Sequence, residues 1–342
     1  MNLSNNEPFI LRPVGKDYLW GGQRLNKDFN KNIDMDPLAE SWECSTHPDG
    51  TCSVKGGSFD GMLLSEVLKK HPEYLGEHVE KIVGAFESSK DGGYDGQIPI
   101  LLKLIDAKQD LSVQVHPSDD YAFFNEKGQL GKSEMWYVLD AEPGARLVYG
   151  LRTDCTPDMI RDAAARGKME KYLQFVPIEK GDVFFIEAGT IHAIGSGALI
   201  AEIQESSNLT YRFYDYDRVD KYGNKRELHI EKALTVANLN ASPEPHQGLR
   251  VLRYAPGVAS ELLSRCRYFE VHRMLVNTSR GQKVTYSTDE LSFRVLMCIE
   301  GDGEIIWDNG NLKVRKGDCI FIPANSPLLT LKGRIQMLDV RC

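Results

Sequence analysis

Short apolar runs punctuated by Gly, Pro, Asn and Asp recur along most of this chain, the pattern of strands joined by turns. Early strand candidates are Phe9 to Pro13, Glu40 to Ser45 and Cys52 to Lys55, with a turn at Trp20 to Gly22. The stretches Ile98 to Tyr216 and Tyr268 to Cys342 then read as strand almost throughout, the second turning at Gly301–Gly303 and Asp308–Gly310. Two regions instead carry apolar residues at helical intervals. Leu64, Val67, Leu68, Leu75 and Val79 predict two helices within residues 61–90, broken at His71-Pro72. Thr156-Pro157 is a good N-cap and first-turn pair and opens a second helical region, 156–174, which Gly167 divides. The polar, Pro-containing run from Asn240 to Gly248 reads as a linker.

A weak internal repeat organises the strands. GDVFFIEAGTIH, at Gly181 to His192, matches GDCIFIPANSPL, at Gly317 to Leu328: Gly-Asp, an apolar strand, then a small-residue turn. The first copy ends in histidine and the second in Pro327-Leu328. This unit resembles the second motif of the cupin double-stranded β-helix. The expected fold is therefore mainly β, two cupin-type jelly-roll barrels with a few inserted α-helices. Residues 1–240 would form a metal-binding catalytic domain with the two helical insertions, 241–265 a linker, and 266–342 a degenerate, metal-free barrel.

The candidate chemistry lies in the first barrel. Gln114 and His116 are two apart in LSVQVHP, so on a strand both point to one face. Glu134, in GKSEMWYVL, and His192 lie in two further strand-like runs. Either histidine alone reads equally well as a satisfied structural residue. Together the four make an N/O ligand set suited to zinc, with manganese, iron or nickel as alternatives. His47, His71, His78, His229, His246 and His272 lack such company and read as non-ligands. Only one divalent metal per chain is expected, because the second copy of the repeat lacks the histidine.

Three cations sharpen the picture. Lys103 interrupts the apolar strand PILLKLIDA, where a charge is costly unless it faces a polar cavity. Lys132 shares a face with Glu134 if that stretch is extended, although spacing alone slightly favours a solvated lysine after the Gly131 turn. Arg212 sits among aromatics, where a cation–π or ion-pair role is the default. Near one metal they would form a pocket suited to a phosphorylated substrate and a developing enolate. Trp20, Trp42 and Trp136 are candidates for a sugar-facing surface, against the commoner placement of tryptophan in a core.

With 342 residues, 42% of them hydrophobic, the chain can form one large or two ordinary domains. The net charge of −8 and the absence of a basic run argue against nucleic-acid binding. No apolar stretch approaches the roughly 20 residues of a membrane helix, and no signal peptide is evident at the start. The seven cysteines are scattered without a CxxC pair, which favours a reduced, cytoplasmic protein. Phosphate-binding nucleotide loops are absent.

The runs YLWGGQRL, AESWECSTHPDG, LSVQVHPSDDYA, GKSEMWYVLDAEPG and AGTIHAIGSGALIAEIQESSNLTYRFYDYDR, in this order, resemble type I mannose-6-phosphate isomerases (phosphomannose isomerases) of the shorter bacterial form, over nearly the whole chain. The resemblance implies zinc-dependent interconversion of mannose 6-phosphate and fructose 6-phosphate through a cis-enediolate. It implies zinc on Gln114, His116, Glu134 and His192, catalytic roles for Lys132 and Arg212, and substrate contacts from Lys103, Asn208 and Trp20. At position 208 the family often carries an aspartate proposed to open the sugar ring. Asn208 cannot act as a base, so that role moves elsewhere, for instance to His116 or a metal-bound water, or is dispensable. Glu202 remains a rival proton-transfer base. Two other classes stay open: a hexose-phosphate-binding regulator without turnover, and an iron-dependent cupin dioxygenase.

Overall fold

A computed structural model describes residues 6–86, 96–219, 222–245, 247–248 and 250–342. His246 and the last expected helical residues, 87–90, lie outside these. Six antiparallel strands, in the order Val183–Ile186, Glu134–Ala141, Ala198–Glu205, Ile100–Asp106, Glu40–Cys44 and Val14–Lys16, form one wall of the first barrel. Five more, Tyr211–Tyr214, Val113–Val115, His192–Ile194, Arg146–Leu151 and Leu173–Pro177, form the other. Ile105, Val138 and Ile200 from the first wall meet Leu147, Val176 and Ile194 from the second in a shared core.

The central strands of the six-stranded wall are buried on both faces, which explains their nearly unbroken apolar sequence. Their alternate residues Leu102, Leu104, Met135, Tyr137, Leu199, Ala201 and Ile203 face outward, into a cluster with Phe269, Val271, Val295, Phe321 and Val340 of the second barrel. The barrels thus share a large apolar seam. The five-stranded wall is covered by the helices Pro157–Ala165 and Ile230–Val236, through Val113, Phe213, Ile160 and Ala233.

The second barrel is a ten-stranded sheet wrapped around Met274, Leu296, Ile305, Ile320, Ile322, Leu331 and Met337. Its membership corrects two expected boundaries. Phe9–Arg12 and Ser53–Lys55, assigned by sequence to the first barrel, form its edge, with Phe9 opposite Phe321 and Leu11 opposite Val54. Arg253–Ala255 and Val258–Arg265, expected within the linker, are strands, the latter pairing with Glu270–Asn277. Arg253–Ala255 is wholly exposed, so it carries no apolar alternation that could mark it as strand.

Both helical regions form. Leu64–Lys70 and Glu77–Phe86 are separated by a single turn at Pro72–Tyr74, and Leu64, Val67, Leu68, Leu75 and Val79 are buried. Thr156 caps the other helix by accepting from the Met159 N–H at 3.3 Å. That helix ends at Ala165, earlier than the expected 174; Gly167 takes a left-handed φ of 63°, and Leu173–Pro177 joins the sheet. None of the described helices is long and apolar enough to cross a membrane.

Candidate metal centre

Two rows of side chains face each other across the first barrel, and strand register sets both. On the six-stranded wall, Trp136, Glu202, Lys103 and Trp42 are successive cross-strand neighbours, with Glu134 opposite Gln204 one step along. On the five-stranded wall, Tyr149, His192, Gln114 and Arg212 are likewise in register across four strands. Alternation places each of these residues on one side of its strand. The expected ligands Gln114, His116, Glu134 and His192 are therefore delivered by three different strand segments or their ends.

Ligand atoms of His116, Glu134 and His192 lie within 4.8 Å of one another, and all three residues are buried. The Nδ1 of each histidine is committed to a backbone carbonyl: His116 to Leu209 at 2.7 Å and His192 to Thr190 at 2.8 Å. Nδ1 therefore carries the proton in each neutral ring, and the Nε2 lone pair is left for the centre. Burial, then the Lys132 charge, brings His116 down to about 3, and burial also lowers His192. Both rings are thus neutral at physiological pH, the form that binds metal.

Burial opposes the charge of Glu134, yet the Lys132 ammonium beside it holds it well below the usual carboxylate range. Its Oε1 is 2.9 Å from His116 Nε2, while Oε2 accepts from the Trp136 indole at 2.8 Å. The Lys132 ammonium contacts both Glu134 Oε1 and His116 Nε2, the latter at 3.1 Å. A cation thus already stands where the donor atoms converge. Gln114 Nε2 is 3.4 Å from His192 Nε2, and turning the amide over presents its oxygen to the same point. Neutral imidazoles, an ionised carboxylate and an amide oxygen around a focus that attracts positive charge fit a divalent cation such as zinc.

Lys103 pairs with Glu202 at 3.1 Å and lies 5.2 Å above the Trp42 ring. Burial works against its charge, but Glu202 and Glu40 hold it above the ordinary lysine range. Glu202 in turn accepts from the Trp136 indole at 2.9 Å, and burial together with the nearby Glu134 raises it. Arg212 keeps a buried Nε without a hydrogen-bond partner among the described residues. Burial, then the charge of Arg226, pulls it below its usual range. The three expected cations thus act on shared neighbours: Lys103 and Lys132 on Glu202, Lys103 and Arg212 on Tyr18.

Trp20 differs from expectation. It is 3% exposed, packed with Ile105, Trp136 and Ile194 in the core, with Tyr18 stacked on it at 5.6 Å. Tyr18 itself was not singled out in sequence; its hydroxyl is raised to about 12 by burial and Glu40, against Lys103 and Arg212. Also missed were Glu40, which accepts from the Trp42 indole at 2.8 Å, and Asp49, which accepts from Asn208 at 2.8 Å. One signal for Glu40 was available: a glutamate at the start of the strand-like ESWEC needs a buried partner.

Comparison with known proteins agrees with this geometry. Residues 9–137 match the family model of the phosphomannose isomerase type I catalytic domain, and residues 260–341 that of the mannose-6-phosphate isomerase cupin domain. Mannose-6-phosphate isomerase ManA of Bacillus subtilis is 35% identical over 327 residues, 96% of either chain. A crystal structure of the mannose 6-phosphate isomerase from Bacillus subtilis superposes with a TM-score of 0.84 at 32% identity, covering 98% of this chain and 99% of that one. A zinc-bound mannose 6-phosphate isomerase shares the fold at a TM-score of 0.74 and 15% identity, over 98% and 99% of the two chains. Register, buried ligand set and sequence therefore converge: this chain belongs to the type I mannose-6-phosphate isomerase family.

Proposed function

We propose that the protein interconverts D-mannose 6-phosphate and D-fructose 6-phosphate, using one zinc held by Gln114, His116, Glu134 and His192. The observation that carries this reading is the pair of facing rows, which sets a neutral-imidazole and carboxylate cluster beside Lys103, Lys132 and Arg212. Zinc bound there would supply Lewis-acid polarisation of the O1/O2 region of the sugar.

The remaining work falls to side chains. Isomerisation moves a proton from C2 to C1 through a cis-enediolate. Lys132, beside both His116 and Glu134, is the proton carrier in this scheme: its neutral amine takes the C2 proton and the resulting ammonium returns it to C1. Lys132 would be released from those two residues once they hold a metal. Arg212 stays charged and stabilises anionic oxygen of the enediolate or phosphate, which would give its orphan Nε a partner. Lys103 contributes positive field from the other wall, and Trp20 acts by supporting Tyr18. Glu202 is already committed to Lys103 and Trp136, which favours Lys132 over it as the carrier. The seven unpaired thiols fit a reducing cytoplasmic setting.

A coupled assay on mannose 6-phosphate tests the reading. Turnover should vanish on chelation and return with zinc. A metal-loaded protein without turnover would overturn it.

A further inference from the structure

A hexopyranose must open before its C2 proton can leave, and opening needs a base for the O1 hydroxyl. Resting on the isomerase reading, we propose that Asp49 is that base and that Asn208 is its positioning residue. The turn His47–Gly50 is closed by a Gly50 to His47 hydrogen bond of 2.9 Å, and Lys16 Nζ donates to the Asp49 carbonyl at 2.5 Å. Asn208 Nδ2 then donates to Asp49 Oδ2 at 2.8 Å. Asn208 is itself fixed between Ser207, whose hydroxyl holds the Leu130 carbonyl at 2.9 Å, and Leu209, whose carbonyl holds His116 Nδ1 at 2.7 Å. A short rigid path therefore links Asp49 to a metal-ligand candidate.

Charge and access single out the same residue. Lys16, which donates to the Asp49 carbonyl, lies 4.4 Å over the Trp42 ring, and Lys103 lies 5.2 Å over the same side chain, so Asp49 stands beside the cationic cluster. Glu40, Glu134 and Glu202 are buried and engaged by tryptophan indoles. Asp49 has a side chain 55% exposed, and Oδ1 has no hydrogen bond among the described residues. It combines a held oxygen with a free one. Asn208, an amide, takes no proton; it aims the carboxylate that does.

The step balances without any redox partner. The Asp49 carboxylate takes the O1 proton, the O1–H pair becomes the C1=O1 double bond, and C1–O5 breaks. O5 receives the proton back through solvent water at the exposed carboxylate, which ends unchanged.

The test follows α/β anomer exchange of 2-deoxyglucose 6-phosphate by magnetisation-transfer NMR. This analogue lacks the C2 hydroxyl, so it can open but cannot isomerise. Zinc-loaded wild type should accelerate exchange, and Asp49→Asn should cut the acceleration at least tenfold. Zinc content and melting temperature should stay at wild-type values, with partial rescue by Asp49→Glu. Wild-type exchange in Asp49→Asn, or no acceleration by a wild type that isomerises mannose 6-phosphate, would overturn the proposal. Asp49-dependent exchange without isomerisation would instead sink the isomerase reading and leave Asp49 in place.

Discussion

The same unit is built twice, and only one copy carries chemistry. Gly181 and Gly317 take φ values of 96° and 97°, in the region that favours glycine, and lead into the matching strands Val183–Ile186 and Cys319–Ile322. The first copy then delivers His192, 1% exposed, to the centre of its barrel; at the matching place the second has Leu328, 63% exposed. Inside, the first barrel holds Lys103, Lys132, Glu134 and Glu202, while the second is filled mainly by Met, Leu and Ile, with Asp339 as a buried charge met by Tyr286 at 3.0 Å and Arg294 at 3.4 Å. Buried charges contribute little net stability even when paired, whereas apolar filling stabilises by about 25 cal/mol per Å². The division of labour follows: one barrel tolerates a more heavily charged interior because the other, joined to it by an apolar seam, is mostly apolar inside.

Removing a ligand should break the contrast most completely. His192→Ala should reduce zinc from one per chain to a small fraction, measured by elemental analysis, with activity lower by about a thousandfold. Leu328→His should not add a second metal. Next, Leu296→Ala, at a fully buried site in the second barrel, should cost about 3 kcal/mol in denaturant unfolding. Its zinc content should be unchanged, so stability and metal binding would separate by barrel.

The seam can be tested through Lys31. Just beyond the short helix Arg24–Phe29, it reaches Glu43 at 2.6 Å and the Gly317 carbonyl, and the Lys31 and Glu43 side chains are both buried. Lys31→Met should cost about 2 kcal/mol. The loss is softened because burial already raises Glu43, so it can take up a proton once Lys31 is gone.

The smallest effect is in pH. Burial and Asp119 raise Glu205 to about 8 from an ordinary value of 4.5, and its Oε1 accepts from the Ser133 N–H at 2.7 Å. A raised folded value means stability complete below about 4.5 and lost as pH rises through 8. Glu205→Gln should flatten the melting profile across that window. An unchanged slope would show that Glu205 does not hold the proton.

Much of the site was legible because it obeys a period of two. Gln114 and His116 two apart on one strand, and a lysine inside PILLKLIDA, are local signals with direct physical causes. Arg212 and Lys132 were legible as residues but not as neighbours, since register across strands fixes who meets whom. Asp49 and Asn208 were least readable: their contact joins a turn and a loop 159 residues apart, and neither has a local pattern. The membership of Phe9–Arg12 was equally hidden. Its sequence announces a strand but carries nothing to say which sheet takes it.

That strand has a consequence for how the protein is made. Phe9 leaves the ribosome near the beginning, and its partner Phe321 near the end. At about 5–20 residues per second, roughly 15–60 seconds separate the two. Through that interval the apolar strand has only the short Ser53–Lys55 to pair with, so the nascent chain presents a sticky edge until the second barrel emerges. Slowing translation of the final third of the message should therefore lower the soluble yield more than slowing the middle.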